Sequence, residues 1–421
     1  MQRAVGTRKL AQEVIARCQR LARFSQDAVG TRRTFLSPPM HDCHREISGW
    51  LEPLCSQVRV DAAGNLRAFY PAEQSNAPRL LLGSHLDTVP NAGAYDGVLG
   101  VVVGVTLLEA LGGKRLPFGL EVVGFSEEEG VRFGVPFLGS RALVGTLDDG
   151  LLDLRDQAGI SARGAIEAFG LHPEEIPQAS LKDDALGYIE FHIEQGPVLE
   201  QLGHPLGVVE AIVGQSRLEF TFLGQANHAG TTPMHLRYDA IAAAAEWICA
   251  VERGAQALPG LVATVGKIEA KPGTTNVIAG ETHLTLDVRH SSDEVRTRVV
   301  SELIEEAVEI SDRRGLKLQR RVLLSERAVA MDAFLVNEVD LAIRTAACVP
   351  QRMVSGAGHD AMIMAQRVPA AMIFLRTPGG ISHDPAESVA TEDVEKAIES
   401  GLHLLHQLAG SHTFNKRTCR A

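Results

Sequence analysis

RLLLGSHLDTVPNAGAYDGVLGVVVGVTLLEAL, residues 79–111, decides the fold class. Its opening RLLLGS is a short apolar run followed by a polar, glycine-containing loop, which reads as a buried strand ending at His85. The stretch 97–111 is apolar, carries glycines and falls short of the roughly 18 residues of a membrane span, so it reads as a buried helix. The same strand pattern returns at 119–126 (GLEVVGFS) and 188–194 (YIEFHIE). Buried strands separated by helices imply an α/β sheet covered on both faces. Residues 7–23 and 40–55 read as amphipathic helices. Beyond about 330 the style repeats, with a helix at 333–346, a strand at 370–375 and a closing helix at 391–408.

The middle of the chain differs. Residues 216–223 alternate as SRLEFTFL, then come a helix at 239–254, strand-like runs at 261–268, 275–278 and 281–289, and a helix at 293–313. This β-α-β-β-α succession predicts a compact α+β domain. Residues 214–325 are therefore expected as a domain inserted into a larger one made of 1–213 and 326–421. Length agrees, because 421 residues exceed the roughly 250–300 at which a single core stops growing.

Charge excludes one class of partner. There are 41 Lys+Arg against 52 Asp+Glu, a net of −11, whereas nucleic-acid binding needs a basic face. Cys18, Cys43, Cys55, Cys249, Cys348 and Cys419 show no CxxC spacing, and the N-terminus has no apolar h-region. Reduced thiols in a cytoplasmic protein are the expectation. Gly97, Gly100 and Gly104 are spaced GxxGxxxG, which fits close helix packing better than a GxGxxG nucleotide loop. His41 and His44, three apart on a helix, read as an exposed polar face rather than a chelating pair.

Four stretches carry chemistry. In GSHLDTVPNAGAYDG (83–97), His85 and Asp87 stand at the carboxyl edge of a strand, where α/β ligand sites form. His85 offers a nitrogen to a metal, Asp87 can hold its other ring nitrogen, and Asp96 opens a helix before Gly97, a residue that tolerates close or strained backbone. The plainer reading is a surface loop with a capping Asp. In SEEEGVRFG (126–134), three adjacent carboxylates follow a buried strand. Either this is a solvated acidic turn, or a cation relieves the repulsion, with one Glu a ligand and its neighbour polarising the bound water. In FHIEQGP (191–197), His192 is a ligand or a structural strand residue; in GGISHDPAES (379–388), His383 sits in a loop after a strand. Imidazole and carboxylate without thiolate suit Zn, Mn, Co or Ni.

These motifs resemble the carbamoylase/allantoate amidohydrolase branch of the M20 metallopeptidase-like superfamily, which also shares FLGSRA, GQANHAGTTPM, GTTNVI, DVRH and GAGHDA. The resemblance implies a hydrolase-like mixed sheet carrying the site and an inserted ferredoxin-like dimerisation and lid domain. It implies two divalent ions bridged by Asp96, one completed by His85 and His192, the other by Glu129 and His383. Glu128 would be the general base. Gln195 resembles the contact to a ureido group, His228 the oxyanion-stabilising histidine, Asn276 and Arg289 the substrate-carboxylate contacts, and His359 another pocket residue. Arg217 is a further candidate for anion binding, and Arg376 would favour a more polar substrate. The implied reaction is hydrolysis of the C–N bond of an N-carbamoyl-L-amino acid or of allantoate. Dipeptide or N-acyl-amino-acid cleavage is the nearest alternative, and an inactive ureide-binding module the alternative of another class. A homodimer is implied, with hinges near 210–214 and 322–328.

Overall fold

A computed structural model describes residues 6–411 and Phe414; Cys419 lies outside the described residues. The chain divides into two compact units. One runs to Glu210 and resumes at Met331; the other is Ala211–Ala330.

The first unit is built on a large mixed sheet. Four strands lie side by side and parallel, in the order Gly119–Phe125, Arg79–His85, Ala185–Ile193, Ala370–Leu375. Apart from Arg79 every residue in them is buried, which is why they read as continuous apolar runs rather than alternating ones. Parallel strands in adjacent positions bring their carboxyl ends to one edge of the sheet, and the loops that follow all four meet there. Leu66–Tyr70 closes the array on one side and Leu206–Ile212 on the other, both antiparallel.

The helix Val98–Ala110 is buried along its length to Leu108. A side chain at Gly100 would lie 2.0 Å from the carbonyl oxygen of Phe191, so this helix rests directly on a strand backbone. That is the close packing expected of the glycine spacing. The helices Thr7–Leu21, Ala333–Thr345 and Thr391–Gly410 stand where periodicity placed them. One expectation fails on the helix Pro38–Leu51. His44 is buried, not exposed, with its ring edge-on to Phe169, and burial lowers its pKa to about 3. His41 stacks on the same Phe169 at 3.5 Å.

The second unit has an antiparallel sheet in the order Lys317–Glu326, Gly214–Leu223, Glu281–His290, Val262–Lys271. Helices Ala240–Gln256 and Asp293–Arg314 complete a β-α-β-β-α-β succession of ferredoxin-like order. The fourth long strand was not expected: KLQRRVLLSE does not alternate, and it forms an exposed edge. Leu218, Phe220, Phe222, Leu284, Leu286 and Val288 meet Trp247 in the core, and the Trp247 indole donates to the carbonyl of Leu303 at 2.8 Å. Among the described residues no helix is long and apolar enough to cross a membrane. Trp247→Ala empties a fully buried ring position and removes the indole's hydrogen bond to the helix carbonyl of Leu303. It is expected to destabilise the protein by about 3–5 kcal/mol in urea titration followed by circular dichroism.

Candidate metal centre

His85 is the last residue of its strand. Eleven residues later the chain turns sharply into the helix Val98–Ala110, and the turn is a γ-turn. The Val98 N–H donates to the carbonyl of Asp96 at 2.7 Å, with Gly97 between them at φ 67°, ψ −55°. This three-residue turn with positive φ is rare and strained for any residue with a Cβ. Glycine is needed here for a second reason. A Cβ on Gly97 would lie 2.4–2.5 Å from the His85 ring. The turn thus presses Asp96 and His85 together.

The Asp96 carboxylate, 3% exposed, has two different faces. Its Oδ1 lies 3.2 Å from Nε2 of His192 and 3.6 Å from Nε2 of His85, yet accepts no hydrogen bond. Its Oδ2 lies 3.2 Å from Nε2 of His383, which is itself 3.6 Å from Glu129. Oδ2 also accepts from Gln195 at 2.9 Å and Ser382 at 3.0 Å. The Nδ1 atoms of His85 and His192 each face a main-chain carbonyl at 2.9 Å, those of Asp87 and Ile193. A carbonyl only accepts, so both Nδ1 atoms carry the proton and a neutral ring then turns its Nε2 lone pair inward. The two Nε2 atoms are 3.3 Å apart. Lone pairs facing each other and a carboxylate oxygen call for positive charge between them. The electrostatics carry the same demand: despite burial, the neighbouring carboxylates of Asp87 and Asp96 hold His85 well above its usual pKa, and the neighbouring imidazoles of His192, His383 and His85 hold Asp96 well below. The donor set of imidazole nitrogen and carboxylate oxygen fits a divalent transition ion.

The three carboxylates after Gly119–Phe125 separate. Glu127 turns away and accepts the N–H groups of Phe35 and Arg132. Glu128 and Glu129 join His85 in a group whose ligand atoms lie within 4.8 Å of one another. Burial raises Glu128 well above the usual carboxylate range and, with Asp96 adding to it, takes Glu129 to about 7. Asp87 does more than expected. Its carboxylate stands 3.6 Å from the His85 ring, and its two oxygens accept the N–H groups of Glu128 and Glu129 at 2.9 and 3.0 Å.

The remaining candidates fall into groups. His359 is buried in the first unit, its ring 4.5 Å from that of His192 and its Nδ1 without a partner. Arg376 is committed to Asp393 by two 2.8 Å bonds, so the expectation that it selects substrate loses its footing. In the second unit Val277 pairs with His228 on a short ladder, and the carbonyl of Asn276, just before it, accepts the Ala229 N–H at 2.9 Å. The His228 Nδ1 accepts the Gly230 N–H at 3.1 Å, which puts the ring proton on Nε2. Arg217 and Arg289 share the carboxylate of Asp287, at 2.9 Å from each Nε. Sequence reasoning missed Ser382, Asp287 and Glu387, whose carboxylate accepts the N–H groups of Tyr95 and Asp96. Ser382 and Glu387 stood inside a motif already singled out, and only a fold could say what they touch.

Residues 81–407 match peptidase family M20/M25/M40. The chain belongs to this family. Among the M20 chain's relatives, an allantoate deiminase of Arabidopsis thaliana is 37% identical over 95% of this chain and 82% of its own length. An N-carbamoyl-L-amino acid amidohydrolase of Geobacillus stearothermophilus is 39% identical over 84% of this chain and 87% of that one. The crystal structure of a hydantoinase/carbamoylase family amidase from Burkholderia ambifaria superposes with TM-score 0.89 at 32% identity, covering 95% and 98%. The sequence resemblance and the mixed α/β fold class are borne out. M20 enzymes are metal-dependent, and this chain has the residue groups to hold metal. Gly97→Ala is expected to shift His85 and strain the turn. A fall of several degrees in thermal midpoint should accompany it, from about 1–2 kcal/mol of backbone strain plus the clash.

Proposed function

We propose that this chain is a two-metal amidohydrolase that cleaves the C–N bond of a carbamoyl or ureido group, R–NH–CO–NH₂, in N-carbamoyl-L-amino acids or allantoate. The observation that carries the reading is the divided Asp96 carboxylate, one oxygen toward His85 and His192, the other beside Glu129 and His383. The names and identities of the relatives support the substrate class.

His85, His192 and Asp96 would hold one ion, and Asp96, Glu129 and His383 the other, with Zn, Mn, Co or Ni as the candidates. When bound, such ions supply Lewis acidity, easing ionisation of water and polarising a carbonyl. Glu128 takes the proton of the attacking water and returns it to the leaving nitrogen as the C–N bond breaks, a two-way task for one carboxyl group. Burial suits it to this, because a carboxylate with a raised pKa is the stronger base. His228, with its proton on Nε2, donates to the oxyanion that develops on the carbonyl oxygen, a contact worth about 3 kcal/mol. Gln195 and His359 make polar contacts to the ureido group. Asn276 and Arg289, with Arg217, receive the substrate carboxylate, where a guanidinium can engage both oxygens at once.

Residues 1–213 and 326–421 are the catalytic part in this reading, and 214–325 make a homodimer. Supporting the dimer, Val262–Lys271 is a sheet edge with Val262 and Ile268 more than half exposed, an arrangement that invites pairing with a second copy.

Two experiments test the proposal. With Mn²⁺ restored, ammonia release is measured from N-carbamoyl amino acids and allantoate, against amine release from dipeptides. Turnover confined to the dipeptides, or undiminished after exhaustive chelation, overturns the proposal. Glu128→Gln is expected to bind metal normally and lose about a hundred- to ten-thousand-fold in kcat. Ile268→Lys, read by light scattering, is expected to yield monomers; an unchanged dimer would move the interface elsewhere.

A further inference from the structure

Glu387 lies four residues beyond His383 on the same loop and is 5% exposed. Its Oε1 accepts the main-chain N–H of Tyr95 at 2.6 Å and that of Asp96 at 3.0 Å, while its Oε2 has no partner. The Asp96 main chain is thereby held at both ends, its N–H by Glu387 and its carbonyl by Val98 through the γ-turn. The same loop also reaches the Asp96 side chain, because the Ser382 hydroxyl donates to Oδ2. Fit is close on the other flank. A Cβ on Gly93 would lie 2.5 Å from the Glu387 Cβ and 2.9 Å from the carbonyl oxygen of Asp384. One side chain therefore clasps two loops nearly 300 residues apart in sequence.

We propose that Glu387 is a positioning residue for the metal centre: it sets the spacing between Asp96 and His383, and through that spacing the affinity for metal. The inference rests on the two-metal reading above. Two N–H groups converging on one oxygen need a strong acceptor, and a carboxylate supplies one. Because Oε2 has no protein partner, the oxygen's location should matter more than the second oxygen. A residue that merely stapled the fold would change thermal stability and leave metal affinity of the folded protein as it was.

The test titrates metal-free wild-type, Glu387→Ala and Glu387→Gln proteins with Mn²⁺ by calorimetry, at a temperature where circular dichroism shows each one folded. Glu387→Ala is expected to weaken binding about 10–100-fold, the usual loss when a ligand's supporting partner is removed. Glu387→Gln keeps an oxygen able to accept both N–H groups and should stay close to wild type. Wild-type affinity in folded Glu387→Ala overturns the inference, as does Glu387→Gln being as weak as Glu387→Ala. Should Glu387→Ala not fold, Glu387→Asp draws the oxygen back by one methylene and carries the same expectation of weakened binding, and wild-type affinity there overturns it equally. If wild type itself takes up no Mn²⁺, the two-metal reading falls, an outcome separate from either of these.

Discussion

One buried carboxylate oxygen, Oδ1 of Asp96, has two imidazole nitrogens within 3.6 Å and no hydrogen bond from either. Buried charge without a partner is among the costliest things a fold can contain. Here the surroundings are built to keep it so. The carbonyls of Asp87 and Ile193 draw the ring protons of His85 and His192 outward, which turns both lone pairs in. The γ-turn at Gly97 leaves no slack between Asp96 and His85. The sheet supplies the rest, since four adjacent parallel strands deliver His85, the Glu128–Glu129 pair, His192 and the His383 loop to one edge. Every one of these arrangements makes sense around positive charge and is costly without it.

The acidic run shows how the chain keeps three neighbouring carboxylates from defeating one another. Glu127 is spent on main-chain N–H groups of Phe35 and Arg132, away from the metal-holding group. Asp87 fixes the main chain of the other two by accepting both their N–H groups. The fixed loop then presents Glu128 and Glu129 beside His85 with little freedom to exchange places. Burial accounts for the raised pKa of all three, and the fold sustains that cost beside the group that could hold a metal.

How much of this was legible in the sequence follows from where the physics is local. Buried parallel strands announce themselves because both faces are apolar, so RLLLGS and GLEVVGFS could be placed, as could the helix packed on them. Lys317–Glu326 could not: as an exposed edge strand it needs neither alternation nor apolarity. His44 was misjudged because a polar residue on an amphipathic helix ordinarily faces water, and nothing nearby in sequence reveals Phe169 packed over it. Residues that share a short motif with a ligand were visible as a cluster. What each touches was not. Glu387 stands in the quoted HDPAE, but its partners Tyr95 and Asp96 are nearly 300 residues earlier.

The second unit poses a different electrostatic problem. Arg217 and Arg289 are held by a single carboxylate, Asp287, which their bonds keep ionised below its usual range in spite of burial. Two guanidinium groups against one carboxylate leave one net positive charge. Each also has its side chain fixed before any ligand arrives, so less rotamer entropy remains to be lost on binding. A free pair of arginines would attract an anion more strongly and hold it less specifically. Sharing Asp287 therefore trades strength of attraction for fixed geometry. The His228 ring obeys the same logic on its own ladder: the Gly230 N–H fixes its tautomer in advance, so that its Nε2 donor is formed before anything binds.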